Sequence, residues 1–252
     1  MELRTPQDPG GETLDRLAGD WWIYQLRRGH RYATDDVLTA WTASRAHPDA
    51  RTILDLGAGV GALGLLVLLQ ARPLARLVGV ELQEVSVALA RKTVAHNRLD
   101  GQVEIRQGDL RAPGLLGSAE RFDLIVANPP YLSPQSALRS PNPHRAAARL
   151  ELHGEIADYC RVAADHLAPG GRFCFCHAAA DPRPERALVE VGLSVLSRQE
   201  VVFREGRPAV IALYACGREG ARLDLPALVV RDREGRRTEA YRAVRRTMQI
   251  EE

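Results

Sequence analysis

A regular alternation of strand-like and helix-like segments constrains the fold of this chain more than any other feature. Short apolar runs, typical of buried strands, lie at about 52–56, 76–81, 103–107, 122–127 and 171–177. Segments with helical spacing lie between them at about 61–72, 84–98, 150–167 and 182–192. Because strands joined through a helix run parallel, the pattern predicts an α/β, doubly wound fold with a mostly parallel sheet.

The residues after this alternation extend the predicted sheet. Two β-rich runs at about 194–203 and 208–215 lie close together and predict an antiparallel hairpin at the sheet edge, which brings the sheet to seven strands. A further short strand is expected within Leu225 to Val230 and a basic helix from Thr238 to Met248.

The residues before the alternation predict a small cap. The aromatic run from Trp21 to Gln25 favours a short strand, which Gly29-His30 would turn. Thr34 or Asp35 is a candidate N-cap of the helix that follows.

Composition is ordinary for a globular protein, with 45% hydrophobic and 26% charged residues in 252. The apolar run from Ala62 to Leu69 is too short to span a membrane, and the polar N-terminus does not resemble a signal peptide, so a cytoplasmic location is expected. We expect a disordered N-terminus at 1–12, a domain at 13–216 that includes an N-terminal cap at 13–48, and a basic extension at 217–252 packed on that domain.

The four cysteines predict neither a disulfide nor a metal site, because they form no Cys-x-x-Cys pair and have no matching histidine spacing. Cys174 and Cys176 are two residues apart in an apolar run and should point to one face of a strand as small buried groups. No metal is therefore expected.

A glycine-rich segment, Asp55-Leu56-Gly57-Ala58-Gly59-Val60-Gly61-Ala62-Leu63-Gly64, ends the first strand of the alternation and opens its helix. Glycines there let a ligand come close to the backbone, and the helix N-terminus presents free N–H groups. Its spacing also satisfies the dinucleotide fingerprint, with Glu81 placed to bind ribose hydroxyls. On these residues alone a dehydrogenase fits nearly as well as any other enzyme.

Three observations favour S-adenosylmethionine as the ligand instead. Asp55 would repel a pyrophosphate but suits a ligand that carries an ammonium and a sulfonium. Asp109 follows the third strand and could accept from an adenine amino group, with Leu110 on the ring. The fourth strand ends in Asn128-Pro129-Pro130-Tyr131, for which hydride transfer has no use.

The Asn-Pro-Pro-Tyr sequence predicts a site for an amino nitrogen. Two prolines stiffen the backbone and offer carbonyl acceptors only, and the Asn128 amide oxygen adds a third acceptor beside them. Tyr131 offers a flat surface for stacking a planar ring. The alternative is that Asn-Pro-Pro only terminates a strand.

These motifs resemble class I methyltransferases of the amino-methylating kind, and most closely the bacterial tRNA adenine-N6 methyltransferases that modify the purine 3′ of the anticodon in a valine tRNA. The similarity includes Gly29 to Leu38, which stands where that family has Gly-Tyr-Arg-Phe-Ser-x-Asp-x-Val-Leu, and Leu167 to Phe173. It extends to the tail from Leu225 to Asp232. His30 and Leu132 depart from the family pattern near the presumed substrate mouth.

The resemblance implies a Rossmann-like class I methyltransferase fold, S-adenosylmethionine as cofactor and structured RNA, most simply tRNA, as partner of a monomer or homodimer. The residues it implies for cofactor binding are Thr34, Asp35, Asp55, Gly57, Gly59, Gly61, Glu81, Leu82, Asp109, Leu110 and Asn128. The catalytic group is Asn128, Pro129, Pro130 and Tyr131. Substrate contacts are expected from Tyr131, Arg139, Arg145 and Arg149.

Other activities remain open on the sequence. A glutamine-N5 methyltransferase acting on a release factor shares the Asn-Pro-Pro-Tyr motif, although that family carries a longer helical N-terminal domain. An rRNA or DNA amino-methyltransferase, and a non-catalytic RNA-binding relative, are further alternatives.

The tail is locally basic. Between Gly217 and Arg246 it has nine arginines against five acids, an excess of four. These arginines could contact phosphates.

Overall fold

The computed structural model describes residues 11–29, 31–130 and 154–251 of the chain. Its strands are β1 (Glu12–Ala18), β2 (Trp21–Leu26), β3 (Thr52–Leu56), β4 (Arg76–Glu81), β5 (Val103–Gln107), β6 (Phe122–Ala127), β7 (Leu167–Ala178), β8 (Ser194–Val202), β9 (Ile211–Gly217) and β10 (Leu223–Val229). Its helices, numbered in order within the described residues, are α1 (Thr34–Ala46), α2 (Ala62–Gln70), α3 (Glu84–His96), α4 (Ile156–His166), α5 (Arg183–Glu190) and α6 (Glu239–Thr247).

The main sheet has eight strands in the order β10-β8-β9-β7-β6-β3-β4-β5. Strands β3 to β7 pair in parallel, and β9 runs antiparallel between β7 and β8. The predicted α/β class and mostly parallel sheet are confirmed. The predicted count of seven strands was wrong, because β10 adds parallel to β8 and takes the edge that the β8–β9 hairpin was expected to form.

Strands β3, β6, β7 and β9 contribute alternate side chains to two apolar layers. Ile53, Leu124 and Cys174 pack on the face covered by α1, α2 and α3. Leu54 and Phe173 pack on the other face, against α4 and α5. Since side chains alternate across a strand, a run that is apolar at every position must be covered on both faces, as these runs are. Cys174 and Cys176 share one layer, as predicted.

The N-terminal cap is an antiparallel hairpin, β1–β2, followed by α1. Its second strand was predicted, whereas β1 was not, and β1 begins at Glu12, one residue before the expected domain start. The N-cap of α1 is Ala33 rather than Thr34 or Asp35. The backbone N–H of Ala33 instead donates to the carboxylate of Asp36, at 2.9 Å.

The tail returns to the N-terminal cap. Its helix α6 lies within the predicted basic helix and is capped by Thr238, whose hydroxyl accepts from the Tyr241 N–H at 3.2 Å. The Tyr241 hydroxyl lies 3.5 Å from Thr34 at the start of α1, and the N–H of Gly19 donates to the carbonyl of Gln249 at 2.8 Å. The two ends of the described chain therefore pack together beside α1.

Candidate active site

The carboxyl ends of three neighbouring strands converge on one crevice. Asp55 lies near the end of β3, Glu81 ends β4 and Asn128 follows β6, and these strands are adjacent in the order β6-β3-β4. Strands β4 and β5 lie on one side of β3, whereas β6 lies on the other side, so the order in which strands are added changes direction between β3 and β6. Ligands of open parallel sheets bind at such a point. The crevice has a volume of about 40 Å³ and is lined by Tyr32, Asp36, Gly57, Ala58, Gly59, Val60, Ala62, Leu63 and Asn128.

A wider cavity of about 530 Å³ lies at the opposite, amino edge of the sheet, around Thr52, Arg76 and Arg106. Arg106 there is bonded to Glu104 and Glu120 at 2.8 Å each. The conjunction of glycine turn, buried carboxylates and strand-end amide is found at the carboxyl edge, so the smaller crevice is the candidate site.

The glycine-rich turn leaves space where side chains would otherwise stand. Gly57, Gly59 and Gly61 have φ of 72°, 56° and 89°, a region that other residues rarely adopt. A Cβ at Gly59 would meet nothing within 4 Å, so the backbone there is open to a ligand. Gly61 is the N-cap of α2, which directs the first free N–H groups of that helix into the same region.

Asp55 is 1% exposed, and only one of its two carboxylate oxygens is hydrogen-bonded. Its Oδ2 accepts from the N–H of Gly64 at 2.8 Å, whereas Oδ1 is buried without a hydrogen-bond partner. Burial raises the pKa of Asp55 to about 8, with smaller contributions from Asp36 and Glu81. A buried carboxylate oxygen without a partner fits a site that receives a cationic group.

Glu81 is 7% exposed and braces the glycine turn. One carboxylate oxygen accepts from the N–H of Gly59 at 2.9 Å and the other from the N–H of Gln83 at 2.7 Å. These two bonds join the glycine turn to the loop that follows β4. Leu82, the next residue, is 37% exposed.

Asn128 is joined to two side chains from other elements. Its Nδ2 donates to Asp36 Oδ1 at 2.8 Å, and its Oδ1 accepts from the Cys176 thiol at 3.0 Å. Asp36 and Cys176 were not among the predicted site residues. No signal in the sequence identifies either partner, because 92 residues separate Asp36 from Asn128 and 48 separate Asn128 from Cys176.

The methyltransferase small domain family matches residues 36–185, which is more than half of the chain. The chain belongs to this family. It is therefore an S-adenosylmethionine-dependent methyltransferase, and the predicted class I methyltransferase assignment is confirmed.

Relatives of this methyltransferase with assigned names agree in reaction type. It is 34% identical over 199 residues to the tRNA1(Val) (adenine(37)-N6)-methyltransferase of Porphyromonas gingivalis, a match that covers 73% of this chain and 76% of the relative. A protein of the same name from Haemophilus influenzae is 25% identical over 84% of this chain and 88% of its own length. The crystal structure of a predicted O-methyltransferase from Agrobacterium tumefaciens superposes with a TM-score of 0.60 at 19% identity, covering 86% of this chain and 98% of that one, and this likeness establishes the fold.

The predicted cofactor-binding residues Thr34, Asp35, Asp109 and Leu110 do not line the crevice. Thr34 and Asp35 begin α1 beside the crevice, but it is Asp36 that lines it. Asp109 forms an ion pair with Arg111, with an N–O distance of 2.6 Å. Leu110 is half-buried against the layer formed with α4.

Among the catalytic candidates, Pro129 is buried and Pro130 half-buried. The remaining predicted side chains lie outside the described residues; they are Tyr131, Arg139, Arg145 and Arg149.

A tyrosine that the sequence did not single out lies beneath the glycine turn. Tyr159 of α4 is 6% exposed, and its hydroxyl would lie 3.0 Å from a Cβ placed on Gly57. Burial, followed by the charges of Glu81 and Asp55, raises the pKa of Tyr159, so its hydroxyl stays protonated. No group of three or more potential metal ligands and no membrane-spanning helix is found among the described residues.

Proposed function

We propose that this methyltransferase modifies an exocyclic amino nitrogen, namely N6 of an adenine next to the anticodon in a tRNA. The observation that carries the proposal is the amide of Asn128, held at the end of β6 where it lines the same crevice as the glycine turn. The relatives named for adenine-N6 methylation of tRNA1(Val) support the same substrate class. An enzyme acting on tRNA would work in the cytoplasm.

The residues of the crevice fit S-adenosylmethionine. The unpartnered Oδ1 of Asp55 would accept from its ammonium group, and Glu81 would accept from the ribose hydroxyls. Leu82, Asp109 and Leu110 would lie along the adenine, once Arg111 shares or releases the Asp109 carboxylate. When bound, the cofactor supplies an electrophilic methyl group on a sulfonium.

Asn128 and Pro129 would prepare the acceptor nitrogen. In an aromatic amine the nitrogen lone pair is delocalised into the ring and is a poor nucleophile. Hydrogen bonds from both N–H groups, to the Asn128 oxygen and the Pro129 carbonyl, favour a pyramidal nitrogen and stabilise the positive charge that develops on it. Preorganised groups of this kind are worth about 3–4 kcal/mol where they have been removed by mutation. The product ammonium is acidic enough to lose its proton to water.

An arginine rim on the same edge of the sheet would receive the RNA backbone. The rim comprises the exposed or half-buried arginines of the loops after β8 and β10: Arg204, Arg207, Arg231, Arg233, Arg236 and Arg237. Strand β8 runs antiparallel to β9, and β9 runs antiparallel to β7, so β8 and β10 end at the same edge as β6. With strands about 4.8 Å apart, β8 and β10 lie roughly 14 and 19 Å from β6 along the sheet.

The two loops retain a positive balance after their acids are counted. They hold six arginines and three acids, Glu205, Asp232 and Glu234. Asp232 and Glu234 both pair with Arg236, and Glu205 lies 3.6 Å from Arg233, whereas Arg207 and Arg237 have no ionic partner among the described residues. Other arginines of the tail pair with acids, such as Arg222 with Glu185 at 2.8 Å and Arg246 with Glu239, so the tail's contribution is concentrated in this rim.

The test is to incubate the protein with a deuterated methyl donor and tRNA from cells that lack the gene, and to identify the modified nucleoside by mass spectrometry. N6-methyladenosine in a valine tRNA is expected. Asn128→Ala should abolish it while the affinity for S-adenosylhomocysteine stays within a few-fold, and Asn97→Ala is the matched control, since Asn97 bonds the backbone of Trp22 away from the crevice. Methylated glutamine in a release factor, without methyladenosine, would establish the alternative instead.

A further inference from the structure

Asp36 is a buried acid of which the cap of α1 uses only one oxygen, through the N–H of Ala33. It is the third residue of α1, is 7% exposed and lines the crevice. Burying a carboxylate without a cationic partner is unfavourable, so a role is needed to explain it.

The contacts of Asp36 lead to the strand-end amide. Its Oδ2 accepts from the N–H of Ala33 at 2.9 Å, and its Oδ1 accepts from Nδ2 of Asn128 at 2.8 Å. On the other side of that amide, the thiol of Cys176 donates to Oδ1 at 3.0 Å. The Asn128 amide therefore has an acceptor at its nitrogen and a donor at its oxygen.

The two ends of an asparagine amide are nearly the same in shape, so neighbours decide which end faces which way. An ionised carboxylate only accepts hydrogen bonds. Turning the amide over would set the oxygen of Asn128 against Asp36 and its NH2 against the Cys176 thiol. We infer that Asp36 is a positioning residue that sets the orientation of the Asn128 amide, and so keeps its oxygen available to a substrate amino group.

The isosteric substitution Asp36→Asn should turn the Asn128 amide over. In Asp36→Asn the N–H of Ala33 still requires an acceptor, so the new amide directs its oxygen to Ala33 and its NH2 to Asn128. Two NH2 groups would then face each other, and Asn128 would turn over to present its oxygen. We expect kcat to fall by about 100-fold, the size measured for loss of one preorganised group, with little change in the affinity for S-adenosylhomocysteine.

The protonation state of Asp36 depends on its burial and on the charged groups around it. Burial raises the pKa of Asp36, as does the neighbouring charge of Asp35 on the same helix, and the charge of Asp36 in turn raises the pKa of Asp55 of β3. Cys176 of β7 is the other titratable side chain that interacts with it, and burial keeps that thiol protonated. The remaining elements that contact α1 are β6, β9, α2 and α6, and Tyr241 of α6 bonds to Thr34 rather than to Asp36.

The contact can be tested without a substrate. The chain has three asparagines, Asn97, Asn128 and Asn142, so ¹⁵N-asparagine labelling gives three side-chain amide signals, and Asn128→Ala identifies the relevant one. In the wild type this signal should shift as Asp36 titrates between about pH 5.5 and pH 8.5, and Asp36→Asn should abolish the shift. A signal that ignores both pH and Asp36→Asn would overturn the inference.

The effect of Asp36→Asn on catalysis, which rests on the proposed function, is measured by single-turnover methylation of tRNA at saturating cofactor. Asp123→Asn is the matched control. Asp123 lies at the amino end of β6, the strand that Asn128 follows, and accepts there from the N–H groups of Arg51 and Thr52 at 2.9 and 3.0 Å. It should lower stability without lowering kcat. If Asp36→Asn behaves in the same way, the positioning role is wrong. If the wild type methylates no tRNA while the amide signal responds as expected, only the proposed function fails.

Discussion

Asp55 Oδ2 accepts a 2.8 Å hydrogen bond from the backbone N–H of Gly64, while Asp55 Oδ1 is buried without a partner. One oxygen of this carboxylate therefore joins the end of β3 to helix α2, and we propose that the other accepts from a ligand. This unpartnered oxygen lies in a residue that is only 1% exposed, where burial favours the protonated carboxyl.

The first prediction concerns cofactor affinity and pH. Because the pKa of Asp55 in the ligand-free protein is about 8, the carboxyl is mostly protonated at neutral pH, and a cationic ligand must displace that proton. Affinity for S-adenosylhomocysteine should therefore rise with pH up to about 8, by at most tenfold per pH unit. Isothermal titration at several pH values measures this, and Asp55→Asn should bind weakly with no such slope. A wild-type affinity that is flat over this range would contradict the assignment.

A second prediction concerns the stability of the ligand-free protein. Burial raises the folded-state pKa of both Asp36 and Asp55 above the unfolded value of 3.8, so between about pH 5 and pH 8 the folded state holds protons that the unfolded state has lost. The free energy of unfolding should fall as pH rises through this window, by at most about 1.4 kcal/mol per pH unit for each carboxyl. Acids with lowered pKa values, such as Glu120, are ionised in both states here and add no slope.

Urea unfolding at constant ionic strength checks this trend. Asp55→Asn should flatten the slope, because one of the two titrating groups is gone, whereas Asp49→Asn on the surface should leave it unchanged. Stability that rises between pH 6 and pH 8 would show that these carboxyls ionise at lower pH than the fold implies.

A third prediction concerns Gly64→Ala. An alanine Cβ there would lie 2.8 Å from Asp55 Oδ2 and 2.9 Å from Leu77 Cδ2. Overpacking of this kind costs about 1–3 kcal/mol, which exceeds the gain of at most about 1 kcal/mol from replacing a helical glycine with alanine. We expect a lower urea midpoint and weaker S-adenosylhomocysteine binding, because Asp55 must move. Gly101→Ala is the control, since a Cβ there meets nothing within 4 Å.

A fourth prediction concerns the arginine rim. Replacing Arg207, Arg233 and Arg237 together with glutamine should weaken tRNA binding and reduce its salt dependence, since each lost phosphate contact lowers the slope of log affinity against log salt by about 0.7–0.9. Arg222→Gln is the matched control from the same tail, because Arg222 precedes β10 at the opposite edge and is paired with Glu185 and Asp224. Filter binding of tRNA at two salt concentrations compares the triple variant with Arg222→Gln. Equal losses from both variants would mean that the rim has no special part in binding.

Local patterns predicted the sheet and the position of the site. Alternating apolar runs, the glycine turn and the strand-end prolines each depend on residues within about ten positions, and backbone geometry turns them into strands, a helix N-terminus and a rigid acceptor edge. Since parallel strands end at one edge, Asp55, Glu81 and Asn128 were expected at that edge, and the structure has them at the carboxyl ends of β3, β4 and β6, with Asn128 lining the crevice. The strand count was underestimated because β10 contains Pro226 and has mostly exposed side chains, and this hid its place in the sheet.

From its sequence alone, this protein could be identified as a methyltransferase with an amide at the end of a parallel strand. Only the tertiary structure decided which way that amide is held and which arginines keep a free charge. The physical reason is range: Asp36 meets Asn128 across 92 residues and Arg222 meets Glu185 across 37, and such pairs arise from how the packed layers bring distant segments together. No periodicity or spacing within a segment records them.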